Sequence, residues 1–341
     1  MMSGRIAVIG GGAAGMETAG QLARAGFSVT LLEKESDLGG HLKEWYHLFP
    51  DRRRSNEVLE YLSSMIDHKN ITVLRSTAIE SILRNRKGII IKTNKGEEIG
   101  ADALVVATGF DLFRSEKKEE YGYGIYDNVI TSADLEKMFR NGELKLKNGS
   151  IPGKIGLVHC VGSRDEKSGN LYCSKLCCVT AVKQAIELRE KLPASKVFCF
   201  YMDMRMGGAH YEELYMEAQE RHAVNFIRGK VSEAGEAHNG KLVVKVEDTL
   251  AGRPLRIELD MLVLMAGMEM SEGGKQLAAS LGLNTGTNRF FQSTDNHYGS
   301  NLSNEDGVFY AGTCTAPMSI PETISHARAA VSEVLHYLKK P

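Results

Sequence analysis

The chain of 341 residues is long enough for about two domains, and its 42 basic and 43 acidic side chains leave a formal net charge of −1. That balance excludes a strong field of either sign, and so speaks against nucleic acid or an anionic membrane surface as the main partner. With 43% hydrophobic and 25% charged residues the composition is that of a folded soluble chain, while 35 glycines exceed the usual share of ~7% and suggest many tight strand-to-helix turns. No apolar run reaches the length of a membrane span and no basic–apolar–small leader is seen, so neither a transmembrane segment nor a secretory signal is expected. The expected location is the cytoplasm, where the six cysteines stay reduced and serve as ligands, catalysts or core residues.

In chain order, residues 5–9 read as an apolar strand, 13–25 as an Ala-rich helix and 27–32 as a second strand ending at Glu33. A helix over 54–68, a strand over 71–74 and a hairpin from 89–93 and 97–99 follow. The continuous apolar run Ala103-Leu104-Val105-Val106-Ala107 reads as a buried parallel strand. Residues 116–150 are more polar and read as a connection with one short helix near 132–140; the charge run from Glu116 to Glu120 reads as a solvated face. Alternation resumes with strands over 155–160, 196–202 and 224–228 and helices over 178–191 and 210–221. A hairpin from 241–247 and 254–259 leads into the apolar run Met261 to Met265, and the chain closes with a strand over 308–311 and a helix over 322–338.

An internal echo links the halves. Ala101-Asp102-Ala103-Leu104-Val105-Val106-Ala107-Thr108-Gly109 aligns with Leu259-Asp260-Met261-Leu262-Val263-Leu264-Met265-Ala266-Gly267, each after a polar hairpin. The expected fold class is α/β, with two Rossmann-like dinucleotide-binding domains, the second inserted in the first. Residues 1–115 and 285–341 form the first, 116–150 the connection and 151–284 the second.

Gly10-Gly11-Gly12-Ala13-Ala14-Gly15 fits G-x-G-x-x-G through Gly10, Gly12 and Gly15, between a strand and a helix. Gly10 permits the tight turn, Gly12 lets a pyrophosphate approach, and Gly15 lets helix and strand pack closely. The N–H groups at the helix start then face the anion, helped by the helix dipole. Glu33, 18 residues after Gly15 and beside Lys34, stands where a carboxylate binds an adenosine ribose. Thr108-Gly109 resembles the ATG-type element of two-dinucleotide flavoproteins, and Leu38-Gly39-Gly40-His41 resembles their flavin-side loop. With a terminal strand, Gly312 and a helix, these elements point to FAD, and His41 is a candidate for the edge of the flavin ring. Many such flavoproteins carry an aspartate just after this last glycine; Thr313 and Cys314 stand there instead, so backbone donors or another group must hold the ribityl chain.

The second half has no G-x-G-x-x-G after the strand at 155–160. It reads His159-Cys160-Val161-Gly162-Ser163-Arg164-Asp165, then Tyr172-Cys173-Ser174-Lys175-Leu176-Cys177-Cys178. Four thiols within 19 residues suit a metal site near a helix start that would lower thiol pKa values, but the spacing is neither a common zinc pattern nor a ferredoxin run. Chemistry alone leaves an iron–sulfur cluster, zinc, a catalytic dithiol or an inert core open. Arg205 lies where a 2′-phosphate is held in NADPH enzymes, a role that needs the missing glycine loop. No nucleophile elbow, H-E-x-x-H or Walker loop is present.

These cysteine segments resemble the signature of the A-type component of heterodisulfide reductase and its relatives, flavoproteins on a thioredoxin-reductase-like core with a four-cysteine [4Fe-4S] site. Gly312-Thr313-Cys314 through Pro317, with Ile320-Pro321-Glu322-Thr323, resembles their C-terminal flavin segment. The resemblance implies Cys160, Cys173, Cys177 and Cys178 as cluster ligands. It also implies electron transfer in sulfur or disulfide metabolism, partners resembling the B- and C-type components of heterodisulfide reductase, and a homodimer. Only Cys199 and Cys314 remain, too few for a ferredoxin-type module, so bifurcation into ferredoxin is not implied. The compact form is similar to the flavoprotein component of sulfur-oxidising heterodisulfide-reductase-like complexes and to one in a quinone-interacting oxidoreductase of sulfate reducers. The alternative expectation is an NAD(P)H-dependent FAD disulfide reductase with a redox-active cysteine pair.

Overall fold

A computed structural model describes residues 4–85 and 88–339. The chain divides into two compact units, one made of Met1–Lys43, Ser55–Asp111 and Glu269–Pro341, the other of Glu44–Arg54 and Leu112–Met268.

The first unit is built on a parallel sheet in the order Val308–Tyr310, Ala103–Val106, Arg5–Ile9, Ser28–Leu32, Ile71–Leu74. The central strands are almost wholly apolar and buried, as a sheet covered on both faces requires. Helices Ala13–Arg24, Ser55–Ile66 and Ile320–Leu338 supply cover. The expected hairpin gains a preceding strand, Ile79–Asn85, so that three antiparallel strands form.

The second unit repeats the plan. Its parallel sheet runs Asn225–Arg228, Lys196–Tyr201, Lys154–Val161, Met261–Ala266, Val129–Thr131, beside an antiparallel sheet of Val231–Glu236, Leu242–Asp248 and Arg253–Leu259. The core between them includes Val158, Val161, Phe200, Leu262 and Leu264. In the first unit the fifth strand comes from the end of the chain; here it comes from residues 116–150, which thus carry the edge strand Val129–Thr131 and the helix Ser132–Asn141. Thr131 and Asp134 form a capping box that starts this helix.

The echoed aspartates play one role twice. Asp102 accepts the Arg5 N–H at 2.8 Å while its own N–H donates to the Arg5 carbonyl at 2.7 Å. Asp260 accepts the Lys154 N–H at 2.8 Å and donates to the Lys154 carbonyl at 2.8 Å. Each clasp ties the late strand to the first residue of the central strand. The pairings Ile6 with Ala103 and Ile155 with Met261 then follow in matching register. Two dinucleotide-binding folds in tandem, the second within the first, are what the structure contains.

Candidate functional site: a dinucleotide cradle and a thiol loop

In the first unit the glycine loop leaves the central strand with Gly10 at φ +107°, where a Cβ would lie 2.3 Å from the Ala107 carbonyl oxygen. At Gly15 a Cβ would lie 1.8 Å from the Gly10 oxygen, so only glycine allows helix Ala13–Arg24 this close to the strand. Gly12 differs: it caps the helix, and a Cβ there meets nothing within 4 Å. That open space lies before the N–H groups of Ala13 and Ala14, which helix geometry leaves without intrahelical partners. Such a terminus suits an anionic group.

Glu33 is buried, and its carboxylate accepts the Gly11 N–H at 2.6 Å and the Glu35 N–H at 2.9 Å. A carboxylate has further lone pairs to offer a ribose. Lys34 beside it is exposed and sits 3.8 Å from Glu35. The Gly39 N–H donates to the Gly11 carbonyl at 2.8 Å, which latches the Gly39-Gly40 turn to the glycine loop. Leu38 covers Gly11, whose Cβ would sit 2.3 Å from Leu38 Cδ2; the sequence carries no signal for that contact. His41 stacks on Phe110, with ring centroids 4.4 Å apart, and its Nε2 lies 2.9 Å from the Phe110 carbonyl oxygen.

Thr108 and Thr323 each keep a buried hydroxyl without a hydrogen-bond partner, and Gly109 has φ +67°. Gly312 begins a short turn through Thr313 and Cys314, and Ile320 opens the last helix, capped by Ser319 and Glu322. These open donors and the Gly12 cleft fit a dinucleotide with a polar linker. Cys314 is fully buried, its thiol donating to the Val106 and Ala311 carbonyls at 3.3 and 3.4 Å, and burial pushes its pKa up to about 12. It behaves as a packing residue.

The Gly312 N–H donates to Nδ1 of His326 at 2.9 Å, which requires an unprotonated Nδ1. Burial lowers the His326 pKa, partly opposed by the Ser300 backbone. Acid therefore protonates this side chain more readily in the unfolded chain. Its contribution to stability is present above the unfolded value of about 6.5 and is lost as pH falls through the lower folded value. Urea midpoints should thus fall on acidification below about pH 6.5, and His326→Gln should flatten that dependence; parallel curves for the two proteins would contradict it.

In the second unit the strand Lys154–Val161 carries a bulge. Its pairing steps from Val158–Leu264 to Val161–Ala266, three residues against two. Cys160 takes φ +59°, and Arg164 and Lys175 also adopt left-handed backbone, so the loop concentrates strain of the kind found at functional sites. His159 is buried with both ring nitrogens unpartnered, and burial lowers its pKa to about 3.

The thiol of Cys177, at the start of helix Cys177–Lys191, hydrogen-bonds Cys160. That bond, together with Arg164 and Arg205, holds the Cys160 pKa below the usual thiol range despite burial. The same bond raises Cys177, which burial and the neighbouring Cys178 and Cys173 raise further. Cys178 donates to the Asp203 carbonyl at 3.6 Å and is pushed up to about 11 by burial. Cys173 is half-buried and accepts the Lys175 N–H at 3.3 Å. The loop thus gathers four thiols within electrostatic reach. Among the described residues, however, no three of these sulfurs come within 4.8 Å of one another. Four sulfurs on one zinc ion at about 2.3 Å each would be closer than that, whereas cubane ligands bind four separate iron corners and stand farther apart. The chemistry of the donor set fits a cluster; the conformation does not form a single-ion tetrahedron.

Distant groups hold the loop. Lys118, buried, donates to Asp165 at 2.9 Å and pairs with Glu120 at 2.6 Å. Asn170 donates to the Gly162 carbonyl at 3.0 Å, and Met268 N–H donates to Ser174 Oγ at 2.9 Å. The solvated face expected of the run from Glu116 to Glu120 is thus corrected at Lys118, which is buried because its partner, 47 residues away, draws it inward. Removing one member of a buried pair costs about 3–5 kcal/mol. Lys118→Met should destabilise the protein by about that much in urea unfolding, and adding Asp165→Asn should recover part of it. Equal loss in both variants would rule out the pairing as the cause.

Among the described residues, Glu190, Glu217 and His222 form the remaining group with metal-ligand character. Arg52 already pairs with Glu190 at 3.0 Å and Glu217 at 3.2 Å, so a guanidinium supplies the positive charge. No helix among the described residues is long and apolar enough to cross a membrane.

A family profile described as pyridine nucleotide-disulphide oxidoreductase matches residues 3–138. The chain is 31% identical over 414 positions to the A-type component of the H(2)/formate:CoB-CoM heterodisulfide,ferredoxin reductase of Methanococcus maripaludis, covering 96% of this chain and 63% of that one. It is 39% identical over 241 positions to an A-type iron-sulfur component of the CoB--CoM heterodisulfide reductase of Methanopyrus kandleri, covering 67% and 36%. The chain thus spans less than two thirds of the length of these relatives. In fold it is similar to T. acidophilum thioredoxin reductase, with a TM-score of 0.67, 18% identity and coverage of 98% and 99%. It is also similar to an NAD-dependent persulfide reductase from A. fulgidus, with a TM-score of 0.62, 19% identity and coverage of 99% and 60%. The chain carries the fold of the thioredoxin reductases and, over nearly its whole length, is similar to the A-type components of heterodisulfide reductase.

Proposed function

We propose that the protein is an electron-transfer component holding FAD in its first unit and a [4Fe-4S] cluster on Cys160, Cys173, Cys177 and Cys178 in its second. When bound, a flavin exchanges electrons in pairs and an iron–sulfur cluster passes them singly. Gly10, Gly12, Ala13, Ala14 and Gly15 would receive the pyrophosphate, with Glu33 and Lys34 flanking the adenosine ribose. Gly40, His41, Thr108, Gly109, Gly312, Thr313 and Ile320 would surround the flavin end.

The observation that carries this reading is a substitution within a repeated plan. The second unit keeps the aspartate clasp and strand register of the first, yet a bulge and four gathered thiols replace its glycine loop. A pyridine nucleotide has no cradle there. Partners resembling the B- and C-type components of heterodisulfide reductase would complete the sulfur or disulfide chemistry, in the cytoplasm and on a homodimer of this chain.

One observation favours a second reading. The Cys160–Cys177 contact, with one thiol pKa lowered and the other raised, is also how a redox-active dithiol is arranged. Anaerobic purification with flavin, iron and sulfide analysis separates the two. Iron and sulfide at about four per flavin, the composition of a [4Fe-4S] centre, with no bleaching of the flavin by NAD(P)H, support the first. Iron-free protein bleached rapidly by NAD(P)H overturns it in favour of the dithiol.

A further inference from the structure

His159 occupies the position that Gly10 holds in the first unit. The aspartate clasps set Lys154 against Arg5, and the strand pairings then bring the fifth residue onward to His159 in one unit and Gly10 in the other. Where the first unit needs a residue without a side chain, the second has an imidazole that is 6% exposed. Neither ring nitrogen has a hydrogen-bond partner. Buried polar groups in folded proteins are nearly always paired, so an unpaired pair of nitrogens calls for a missing neighbour.

The surroundings say which neighbour. On adjacent parallel strands Leu157 pairs with Cys199, and Cys199 lies within electrostatic reach of Cys178, on helix Cys177–Lys191. His159 follows Leu157 by two residues and so shares its face; its ring lies 6.3 Å from that of Tyr201, two residues after Cys199. Strict alternation would send Cys160 to the opposite face. The extra residue of the bulge breaks that alternation, and Cys160 instead bonds Cys177 at the start of the same helix. Alternation and the bulge thus set an imidazole and a thiol on one face of the strand, the face on which Cys160 meets the start of helix Cys177–Lys191.

We propose that His159 lines the pocket of the iron–sulfur cluster and donates its ring N–H to a cluster sulfur, as a positioning residue that raises the cluster's reduction potential. This rests on the assignment of the four cysteines above. A neutral imidazole has one donor to give, and donors to the sulfurs of an anionic cluster favour its reduced, more negative state. A dithiol, by contrast, leaves the imidazole unexplained.

The test uses full-length protein labelled with 15N-histidine, purified without oxygen and reduced with dithionite. Pulsed EPR of the reduced cluster should reveal a 15N coupling that disappears in His159→Phe, while iron and sulfide per flavin stay unchanged. The midpoint potential should fall in His159→Phe and return toward the wild-type value in His159→Gln, which keeps an N–H donor. Should His159→Phe fail to fold, judged by lost flavin, the wild-type coupling and the potential of His159→Gln decide. A cluster without histidine coupling in the wild type, or an unshifted potential in His159→Phe, overturns the role of His159 and leaves the four-cysteine assignment standing. Iron-free wild-type protein overturns both together.

Discussion

Cys177→Ser, purified without oxygen, should lose its iron and sulfide while keeping its flavin. Cys177 sits where helix Cys177–Lys191 begins, buried, in contact with Cys160 and within electrostatic reach of Cys173 and Cys178. It therefore lies within electrostatic reach of each of the other three sulfurs. A serine oxygen in its place is a harder and shorter ligand, poorly matched to iron held by thiolates. Iron per flavin should drop from about four to near background, since a four-cysteine site has no spare ligand. Cys314→Ala is the control: that thiol is buried among carbonyls in the other unit, and its removal should spare iron. Unchanged iron in Cys177→Ser, or loss of flavin with iron retained, would contradict the ligand set. If the dithiol reading holds instead, both proteins are iron-free and Cys177→Ser abolishes NAD(P)H-dependent thiol release.

The sequence makes local requirements visible and hides distant ones. The glycine loop is legible because each glycine answers a backbone demand a few residues away: Gly10 turns at positive φ and Gly15 abuts the Gly10 carbonyl. The echo around Asp102 and Asp260 is legible too, because the clasp repeats in both units. Strands given by pairing rather than composition are not. Val231–Glu236 contains Gly235 and three polar residues, yet joins a sheet because Leu242–Asp248 pairs with it. Val129–Thr131 is too short to carry a period, and Glu272–Leu281 contains two glycines that disguise a helix started by Ser271 and Asp111. At the thiol loop, the residue types suggest metal chemistry, but the bulge that re-aims Cys160 is a mismatch between two strands separated by about a hundred residues of sequence, and no single segment encodes it. Lys118 and Asp165, far apart in sequence, are hidden for the same reason.

Gly12→Val should give the mirror image of the cysteine variant: flavin lost, iron kept. The three glycines of the motif are not equivalent in this respect. At Gly10 and Gly15 a side chain would strike the protein's own backbone, so substitutions there confound folding with binding. At Gly12 a Cβ meets no protein atom within 4 Å, and φ is −77°, a value valine adopts freely. Valine at a helix cap in place of glycine costs no more than about 1 kcal/mol, so the fold should survive. What the isopropyl group fills is the space before the Ala13 and Ala14 N–H groups. Losing two hydrogen bonds to a charged phosphate, at about 1.5–3 kcal/mol each, lowers flavin affinity by about 100-fold or more. Equilibrium dialysis and the flavin absorbance of purified protein measure this directly, with urea unfolding to confirm that the chain is intact. Bound flavin at the wild-type level would mean that the open space beside Gly12 is not where the pyrophosphate lies, and the cradle would have to be sought elsewhere in the unit.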